Sequence, residues 1–172
     1  MSKPEQKPVR VRYAPSPTGL QHIGGLRTAL YNYLYARQLG VQFILRIEDT
    51  DQKRFVEGAL ENTMAFLRDF GLHYDEGPIP LTDKDTENDS IGTLSRRYPG
   101  VYELGAYAPY IQSERLERYQ QYADELIKTG QAYHCFCSED RLADLRTRQE
   151  GAKLAPRYDR ECLKLPIAEV QE

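Results

Sequence analysis

Two kinds of hydrophobic pattern alternate in the first part of the chain, and this alternation restricts the possible folds more than any other feature. Residues 9–14 alternate apolar and charged side chains and residues 43–47 form a short apolar run, so both segments are predicted to be strands. Residues 26–40 and 59–71 repeat apolar side chains every three or four positions and end at glycine, which predicts two helices. The stripe of the first helix consists of Leu26, Leu30 and Leu34, and it is flanked by Ala29 and Tyr33. A strand–helix–strand–helix order is typical of a parallel sheet with right-handed crossovers, so the predicted fold class is α/β.

The composition is that of a globular protein and excludes several other classes. Of the 172 residues, 40% are hydrophobic and 28% are charged. No apolar run approaches the ~20 residues of a membrane helix, and residues 1–7 are polar where a secretory signal has an apolar core. The net charge of −3 excludes a strongly basic nucleic-acid-binding domain but allows a local basic face. Three cysteines do not make a disulfide framework. We therefore expect a cytoplasmic protein with no membrane partner.

The character of the sequence changes at residues 77–78, where a glycine precedes a proline. This change predicts a boundary between residues 1–78 and residues 79–172, the second part being a small α/β subdomain that carries all three cysteines. Residues 82–90 are polar and poor in helix formers, which is typical of a mobile surface loop.

Two further helical patterns follow in the second part. Ser113 is predicted to cap the first helix, which ends at Gly130. Its inward face is predicted to consist of Leu116, Tyr119, Ala123, Leu126 and Ile127. Residues 133–137 are predicted to form a strand, and Ser138 to cap a second helix that ends near Gly151.

The turn between the first strand and the first helix is a candidate phosphate site. Prolines and a glycine in residues 15–19 precede His22, Gly24 and Gly25, which open the helix. A helix N-terminus offers unpaired N–H groups and a partial positive charge, glycine lets a ligand approach the backbone, and histidine adds a donor. The pattern is neither the spaced glycines of a dinucleotide site nor a P-loop. An ordinary structural turn with an exposed histidine fits the same spacing equally well.

A second candidate site lies at the carboxyl ends of the two strands, where ligands bind in open parallel sheets. Arg12 is late in the first strand and Glu48 follows the second. An arginine beside a glutamate binds a zwitterion, the arginine taking a carboxylate and the glutamate an ammonium group. The alternative is an Arg–Glu salt bridge, with Asp49 and Asp51 capping the next helix.

The combination of these motifs resembles one family. Residues 12–19, 22–25 and 46–51 are similar to the start of the glutamyl-tRNA synthetases, which are class I aminoacyl-tRNA synthetases. The similarity continues through residues 75–78, 109–113 and 135–137. It omits the N-terminal tail and residues 83–104, a stretch longer than the family usually has and without an assigned role.

The resemblance implies a fold and a reaction. The fold is the Rossmann-like parallel sheet of a class I synthetase, with residues 1–78 as the first half of the catalytic domain and residues 79–172 as the start of an inserted α/β acceptor-binding subdomain. The reaction joins L-glutamate to ATP, with Mg²⁺, as glutamyl-adenylate and transfers the glutamyl group to the 3′ end of tRNA. The enzyme is expected to be a monomer.

The resemblance also implies roles for individual residues. Glu48 is similar to the partner of the substrate ammonium group. The amino-acid and ATP pocket is implied to be lined by Arg12, Ala14 and Ser16. The first class I signature, which stabilises ATP phosphates, is implied to consist of His22, Gly24 and Gly25. Many class I enzymes have histidine where this chain has Gly25, and the family commonly accepts the change.

Parts of the family pattern lie outside the 172 residues. The second class I signature is a lysine-rich loop containing methionine, and the two methionines, Met1 and Met64, do not follow a lysine. The second half of the nucleotide-binding fold and an anticodon-binding domain are also not found. We expect an N-terminal catalytic fragment that is inactive alone. The alternatives are a glutamyl-queuosine tRNA synthetase and a non-catalytic, zinc-bearing RNA-binding fragment.

The three cysteines are a candidate zinc site. Cys135 and Cys137 would share one face of a strand, Cys162 is a third thiol, and zinc takes four ligands. The resemblance implies Tyr158 as the fourth ligand, because some glutamyl-tRNA and glutamyl-queuosine tRNA synthetases have a similar arrangement. His134 is the ordinary chemical choice but would point away from Cys135 on a strand. Three buried cysteines without a metal remain the alternative.

Overall fold

The first strand–helix–strand segment folds as predicted. In the computed structural model, which describes residues 9–83 and 91–165, strands β1 (Arg10–Tyr13) and β2 (Gln42–Leu45) are parallel and helix α1 (Ile23–Leu39) connects them. Gly40 ends α1 in the left-handed conformation, as the predicted stop at this glycine requires. The other edge of β2 continues the sheet through parallel bridges from Ile44 to Glu76 and from Ile47 to Ile111. The predicted α/β class with a parallel sheet is confirmed.

The buried face of α1 differs from the predicted leucine stripe. Ala29 and Ala36 are fully buried, and Leu26 and Tyr33 pack against the core beside them. Leu30 and Leu34, in contrast, are 40% and 53% exposed. Small residues let the helix lie close to the sheet, so the alanines face β1 and β2. The periodicity therefore predicted the helix and the packing of Leu26, Ala29 and Tyr33 correctly, but it wrongly placed Leu30 and Leu34 on the buried side.

The second helix and a second sheet complete this part of the chain. Helix α2 (Ala59–Asp69) buries one face, made of Ala59, Leu60, Thr63, Met64 and Leu67. Strands β3 (Gly77–Pro80), β4 (Gly92–Leu94) and β5 (Val101–Leu104) form an antiparallel sheet in the order β3-β5-β4. The predicted mobile loop at residues 82–90 lies outside the described residues from position 84 onward.

Two compact units divide the chain, Met1–Glu117 and Arg118–Glu172. The boundary predicted after residue 78 is a different one, because it marks where an inserted subdomain would begin. It stays a prediction. Near the end of the first unit, a short 3₁₀ helix (Gln112–Arg115) leads into α3 (Leu116–Lys128). The prediction that Ser113 caps this helix is wrong. Its amide and hydroxyl donate to Asp49 across the fold, and Ile111 holds the cap position of the 3₁₀ helix.

The second unit confirms one predicted helix and corrects two other predictions. Helix α4 (Glu139–Gly151) begins after Ser138, whose hydroxyl accepts from the Arg141 amide at 3.2 Å. Residues 133–137 do not form a strand, because the Phe136 amide donates to Cys162 Sγ instead of to a neighbouring strand. Helix α3 buries none of its residues, so its predicted inward face is not covered by the described part of the chain. Among the described residues, no helix is both long and apolar enough to span a membrane.

Glu103, in the centre of β5, makes stability depend on pH. Its carboxylate is fully buried and accepts from the amides of Tyr110 and Ile111. Burial raises the pKa of Glu103 from 4.5 to about 7. The folded chain therefore keeps a proton that the unfolded chain releases, so stability falls as pH rises from about 4.5 and stops falling above about 7.

We expect the wild-type chain to lose about 2 kcal/mol more stability than Glu103→Gln between about pH 5 and pH 8. Urea unfolding at each pH measures the difference, and Glu61→Gln, an exposed glutamate in α2, is the matched control. Parallel pH profiles for the wild type and Glu103→Gln would mean that the Glu103 pKa is ordinary.

Candidate active site and metal centre

Arg12 and Glu48 lie together at the carboxyl ends of the parallel strands. Arg12 is opposite Ile44 in the register. Glu48 comes four residues after Ile44 and two residues after Arg46, so it lies on the same face as both. Glu48 Oε1 is 4.0 Å from a guanidinium nitrogen of Arg12 and 3.9 Å from Arg46 Nε. Both distances are too long for a hydrogen bond. The carboxylate therefore lies between two cations without being tightly bound to either, which leaves it able to accept from a ligand.

A cavity of about 540 Å³ lies beside these groups and is rich in arginine. Its lining consists of Arg10, Arg12, Ile44, Arg46, Tyr107, Tyr110 and Arg115. Arg10 is neutralised by Glu76 at 2.6 Å and stacks on the Tyr107 ring. Guanidinium groups such as those of Arg12 and Arg115 suit a carboxylate or phosphate ligand.

Sequence reasoning included Arg46 in the motif of residues 46–51 without giving it a role, and it missed Arg115 as a member of this cavity. Arg46 was detectable, because it is two residues before Glu48 and therefore on the same face of an extended strand. Arg115 had no local signal, since it reaches the cavity from a chain segment nearly 70 residues later.

His22 is the N-cap of α1. Its backbone is extended and its Nδ1 accepts from the Gly24 amide at 3.1 Å. In the neutral ring the proton is then on Nε2, so that N–H is the donor that the exposed side chain presents. The sequence allowed two interpretations of this turn, a structural turn and a phosphate site. The structure is compatible with both, because the histidine that caps the helix also presents a donor at the helix N-terminus.

The two glycines after His22 are required by close packing. A Cβ at Gly24 would lie 2.9 Å from the His22 ring. A Cβ at Gly25 would lie 2.7 Å from the Tyr13 hydroxyl and 2.8 Å from Gln21 Oε1. Glycine at these two positions therefore allows the turn to pack closely against His22, Tyr13 and Gln21.

A second cavity, of about 330 Å³, lies at this turn. Its lining consists of Tyr13, Pro15, Ser16, Thr18, Gly19, Leu20, Gln21, His22 and Gly25. Three of the predicted site residues, Ser16, His22 and Gly25, therefore meet here. Ala14 is half-buried and lines neither of these two cavities.

Asp49 has a different role from the predicted helix cap. Asp51 does cap, accepting from the Arg54 amide at the short 3₁₀ helix Gln52–Arg54. Asp49, in contrast, is 1% exposed and accepts from Ser113 and from the Tyr98 hydroxyl. Burial, together with the neighbouring Asp49 charge, raises the pKa of Tyr98 to about 12, so the hydroxyl stays a donor at neutral pH. No sequence motif indicated this cluster.

The cysteines converge in the second unit. The three Sγ atoms of Cys135, Cys137 and Cys162 lie within 4.8 Å of one another, and Cys137 Sγ is 3.5 Å from Cys162 Sγ. The Tyr158 hydroxyl is 3.4 Å from Cys135 Sγ and 3.5 Å from Cys137 Sγ. The His134 ring instead lies near the Phe136 ring, with 6.1 Å between centroids. Tyr158 therefore joins the thiols, and His134 is outside the group of converging ligand atoms in the described chain.

The donor set fits a zinc ion. Thiolates 2.3 Å from a tetrahedral zinc are separated by about 3.8 Å, close to the sulfur spacing seen here. A hydrogen bond with Tyr158 and another from the Phe136 amide lower the pKa of Cys162 to about 7, which favours the thiolate that zinc requires. Hydrogen bonds with the thiols, first with Cys135, raise the pKa of Tyr158, so the phenol loses its proton only if a cation binds.

Comparison with known proteins agrees with this geometry. The family described as tRNA synthetases class I (E and Q), catalytic domain, matches residues 8–172. The glutamate–tRNA ligases of Clostridioides difficile and Finegoldia magna are 47% and 48% identical over 163 and 166 residues. Each alignment covers 95% of this chain, but 30% and 31% of the relative. The chain thus spans about 30% of the length of these curated relatives.

Two solved structures share the fold. A glutamate tRNA ligase from Elizabethkingia meningosepticum, in complex with its amino acid, is 37% identical with a TM-score of 0.71 and covers 96% of this chain. A glutamate-tRNA synthetase from Elizabethkingia anophelis is also 37% identical, with a TM-score of 0.72. The present chain corresponds to 30% of each of them. Since the family match extends over nearly the whole sequence, the chain belongs to the class I tRNA synthetases for glutamate and glutamine and carries part of their catalytic domain.

Proposed function

We propose that this chain supplies the glutamate- and ATP-binding part of a glutamate–tRNA ligase, which forms glutamyl-adenylate and transfers the glutamyl group to the 3′ end of tRNA. The observation that carries the proposal is the placement of Glu48 between Arg12 and Arg46 at the ends of parallel strands. An amino acid with an acidic side chain needs such a combination of one anion and several cations. The similarity to glutamate–tRNA ligases supports the same function.

Each group of the cleft has a defined task in this proposal. Glu48 accepts from the substrate ammonium group, and Arg12 binds a substrate carboxylate. Both substrate groups are charged before the reaction, so these contacts act on binding in the ground state and the transition state alike. Ser16, which lines the cavity at His22, is assigned to the ATP side, whereas Ala14 lines neither cavity and receives no task here.

His22 acts on the other substrate. Its Nε2–H and the N-terminus of α1 donate to the phosphates of ATP, on which negative charge changes during the reaction. Gly24 and Gly25 keep the histidine ring and the turn in place for that contact. Mg²⁺ accompanies the nucleotide and neutralises phosphate charge.

We assign zinc to Cys135, Cys137, Cys162 and Tyr158, in a structural role. Three thiolates make a soft site with no open position for substrate. The second unit is proposed to act on the tRNA acceptor end, within a monomeric cytoplasmic enzyme. Glutamyl-queuosine tRNA synthetase is disfavoured as an alternative, because the curated relatives named above are glutamate–tRNA ligases.

Ligand titration of the 172-residue chain by NMR tests the glutamate site. We expect L-glutamate to bind with a dissociation constant on the order of 1 mM and glutarate, which lacks the ammonium group, at least about tenfold more weakly. Glu48→Gln should abolish this discrimination, whereas Arg12→Ala should weaken both ligands. His22→Ala should weaken tripolyphosphate and leave glutamate unchanged.

The control for these variants is Glu61→Gln, which removes an exposed carboxylate from α2. Equal affinity of the wild type for glutamate and glutarate would remove Glu48 from its proposed role. An effect of His22→Ala on glutamate alone would contradict the assignment of the two cavities.

A further inference from the structure

Residues 92–104, which had no role in the sequence analysis, form a β-hairpin. Strands β4 and β5 are antiparallel, with Gly92 opposite Leu104 and Leu94 opposite Tyr102. The tip of the hairpin, residues 95–100, reaches two anionic side chains of other chain segments, Asp49 and Glu114. The hairpin is therefore fixed to other segments of the first unit by side-chain contacts.

The first of these contacts is to the residue after Glu48. Arg97 Nε is 3.1 Å from Asp49 Oδ2, and the Tyr98 hydroxyl donates to the same oxygen at 3.1 Å. The Asp49 side chain is fully buried, and the guanidinium of Arg97 forms the ion pair with it. A buried carboxylate depends on such a partner, since its charge has lost its water.

Two glutamates, Glu114 and Glu103, connect the hairpin to the segment around Ile111, which pairs with Ile47. Glu114 accepts from the Ser95 hydroxyl and from the amides of Arg96 and Arg97. Glu103, at the other end of the hairpin, accepts from the amide of Ile111 at 3.0 Å. Ile111 forms the parallel bridge to Ile47. The hairpin therefore holds the residue before Glu48 through Ile111 and the residue after it, Asp49, through Arg97.

Glu48 lies between the two held positions. In an extended chain Ile47 and Asp49 point to one face and Glu48 to the other. Ile47 and Asp49 are both buried at 1% exposure, whereas Glu48 is half-buried, with its carboxylate near Arg12 and Arg46, which line the cavity. Fixing the two neighbours therefore fixes the direction of the Glu48 side chain.

We propose that Arg97 is a positioning residue, through which the hairpin at residues 92–104 holds Glu48 in the orientation that binds the substrate ammonium group. This inference rests on the proposed function for the identity of the ligand. The orientation of Glu48 itself is measurable without any ligand.

Hydrogen exchange of backbone amides in the 172-residue chain tests the positioning directly. The Glu48 amide donates to the Pro15 carbonyl at 3.0 Å, and the Leu45 amide donates to the Glu76 carbonyl at 2.9 Å upstream in the same strand region. In Arg97→Ala we expect exchange at Glu48 to become at least about tenfold faster, with Leu45 unchanged. Arg97→Lys keeps the charge and should restore most of the protection.

Arg96→Ala is the matched control, because the adjacent Arg96 side chain is 72% exposed and pairs with Glu114 rather than Asp49. It should leave exchange at Glu48 unchanged. Unaltered exchange at Glu48 in Arg97→Ala would overturn the proposal. Equal acceleration at Glu48 and Leu45 would also overturn it, because that result means general destabilisation.

Glutamate and glutarate titrations connect the positioning to function. Arg97→Ala should weaken glutamate at least about fivefold and leave glutarate unchanged, since only glutamate uses Glu48. A wild-type chain that does not distinguish the two ligands would refute the proposed ammonium site. The exchange experiment would still decide whether Arg97 positions Glu48, so the two failures are distinguishable.

Discussion

The 172-residue chain, purified without chelator, is expected to contain one zinc ion, and Cys162→Ser is expected to lose it. Cys162 is the buried thiol of the cluster and lies 3.5 Å from Cys137 Sγ. Removing one of three thiolates should weaken zinc binding at least about 100-fold, because the soft ligands supply most of the affinity. Metal analysis by mass spectrometry, with a zinc-sensitive dye for affinity, measures the loss.

The fourth ligand is tested by two further variants. Tyr158→Phe should cost much less affinity than Cys162→Ser, because water replaces the phenolate. His134→Ala should have no effect, since its ring lies beside Phe136 and outside the cluster. Full occupancy in Tyr158→Phe together with loss in His134→Ala would assign the fourth position to His134. A chain without zinc in any preparation would refute the site.

Chelation should act locally. The cysteines come from two segments more than 20 residues apart, so the metal ties residues 135–137 to residues 158–162. Zinc-binding free energy is largely folding free energy where no site exists in the unfolded chain. We therefore expect chelator to increase hydrogen exchange in residues 130–165 first and to leave glutamate binding unchanged.

The variant Gly25→His is expected to destabilise the chain by about 3 kcal/mol, although histidine is common at this position in class I enzymes. Any Cβ at residue 25 approaches the Tyr13 hydroxyl at 2.7 Å and Gln21 Oε1 at 2.8 Å. These two atoms are joined by a 2.7 Å hydrogen bond, and the side-chain Nε2 of Gln21 also donates to the Thr63 hydroxyl in α2. The side chains are therefore not available to move aside without breaking these bonds.

Urea unfolding measures this effect, and Gly19→Ala is the matched control. A Cβ at Gly19 meets no atom within 4 Å, so its stability should stay within about 0.5 kcal/mol of the wild type. A Gly25→His chain as stable as the wild type would mean that the Tyr13–Gln21 bond yields at little cost.

Local signals were sufficient for β1, β2, α1 and α2 of the first unit, but they did not indicate the antiparallel sheet of β3, β4 and β5. Strands β1 and β2 and helices α1 and α2 follow hydrophobic periodicity, and the ends of α1 and α4 follow the behaviour of Gly40 and Ser138. These features depend on interactions within a few residues, which a sequence displays directly. The pairing of Arg12 with Glu48 was also predictable, because parallel strands end at the same edge of a sheet.

The surroundings of the site depended on contacts that no local pattern records. Aspartate is a common helix-cap residue and Asp49 precedes a helical segment. In the folded chain, however, Asp49 contacts Ser113 and Arg97, which are more than 40 residues away in sequence. Leu30 lies on the periodic stripe of α1, yet the smaller Ala29 packs because the sheet lies close to the helix.

The cysteines show the same division between local and tertiary information. Their spacing indicated a shared site, but the strand predicted to present them is absent, because the Phe136 amide bonds to the sulfur of Cys162. The sequence by itself determined strands β1 and β2, the four α-helices and the residues that carry charge or thiol groups, because these properties are local. Only the tertiary structure decided which faces are buried and which distant side chains hold Asp49 and Glu48, because burial and pairing depend on the partner that the rest of the chain brings into contact.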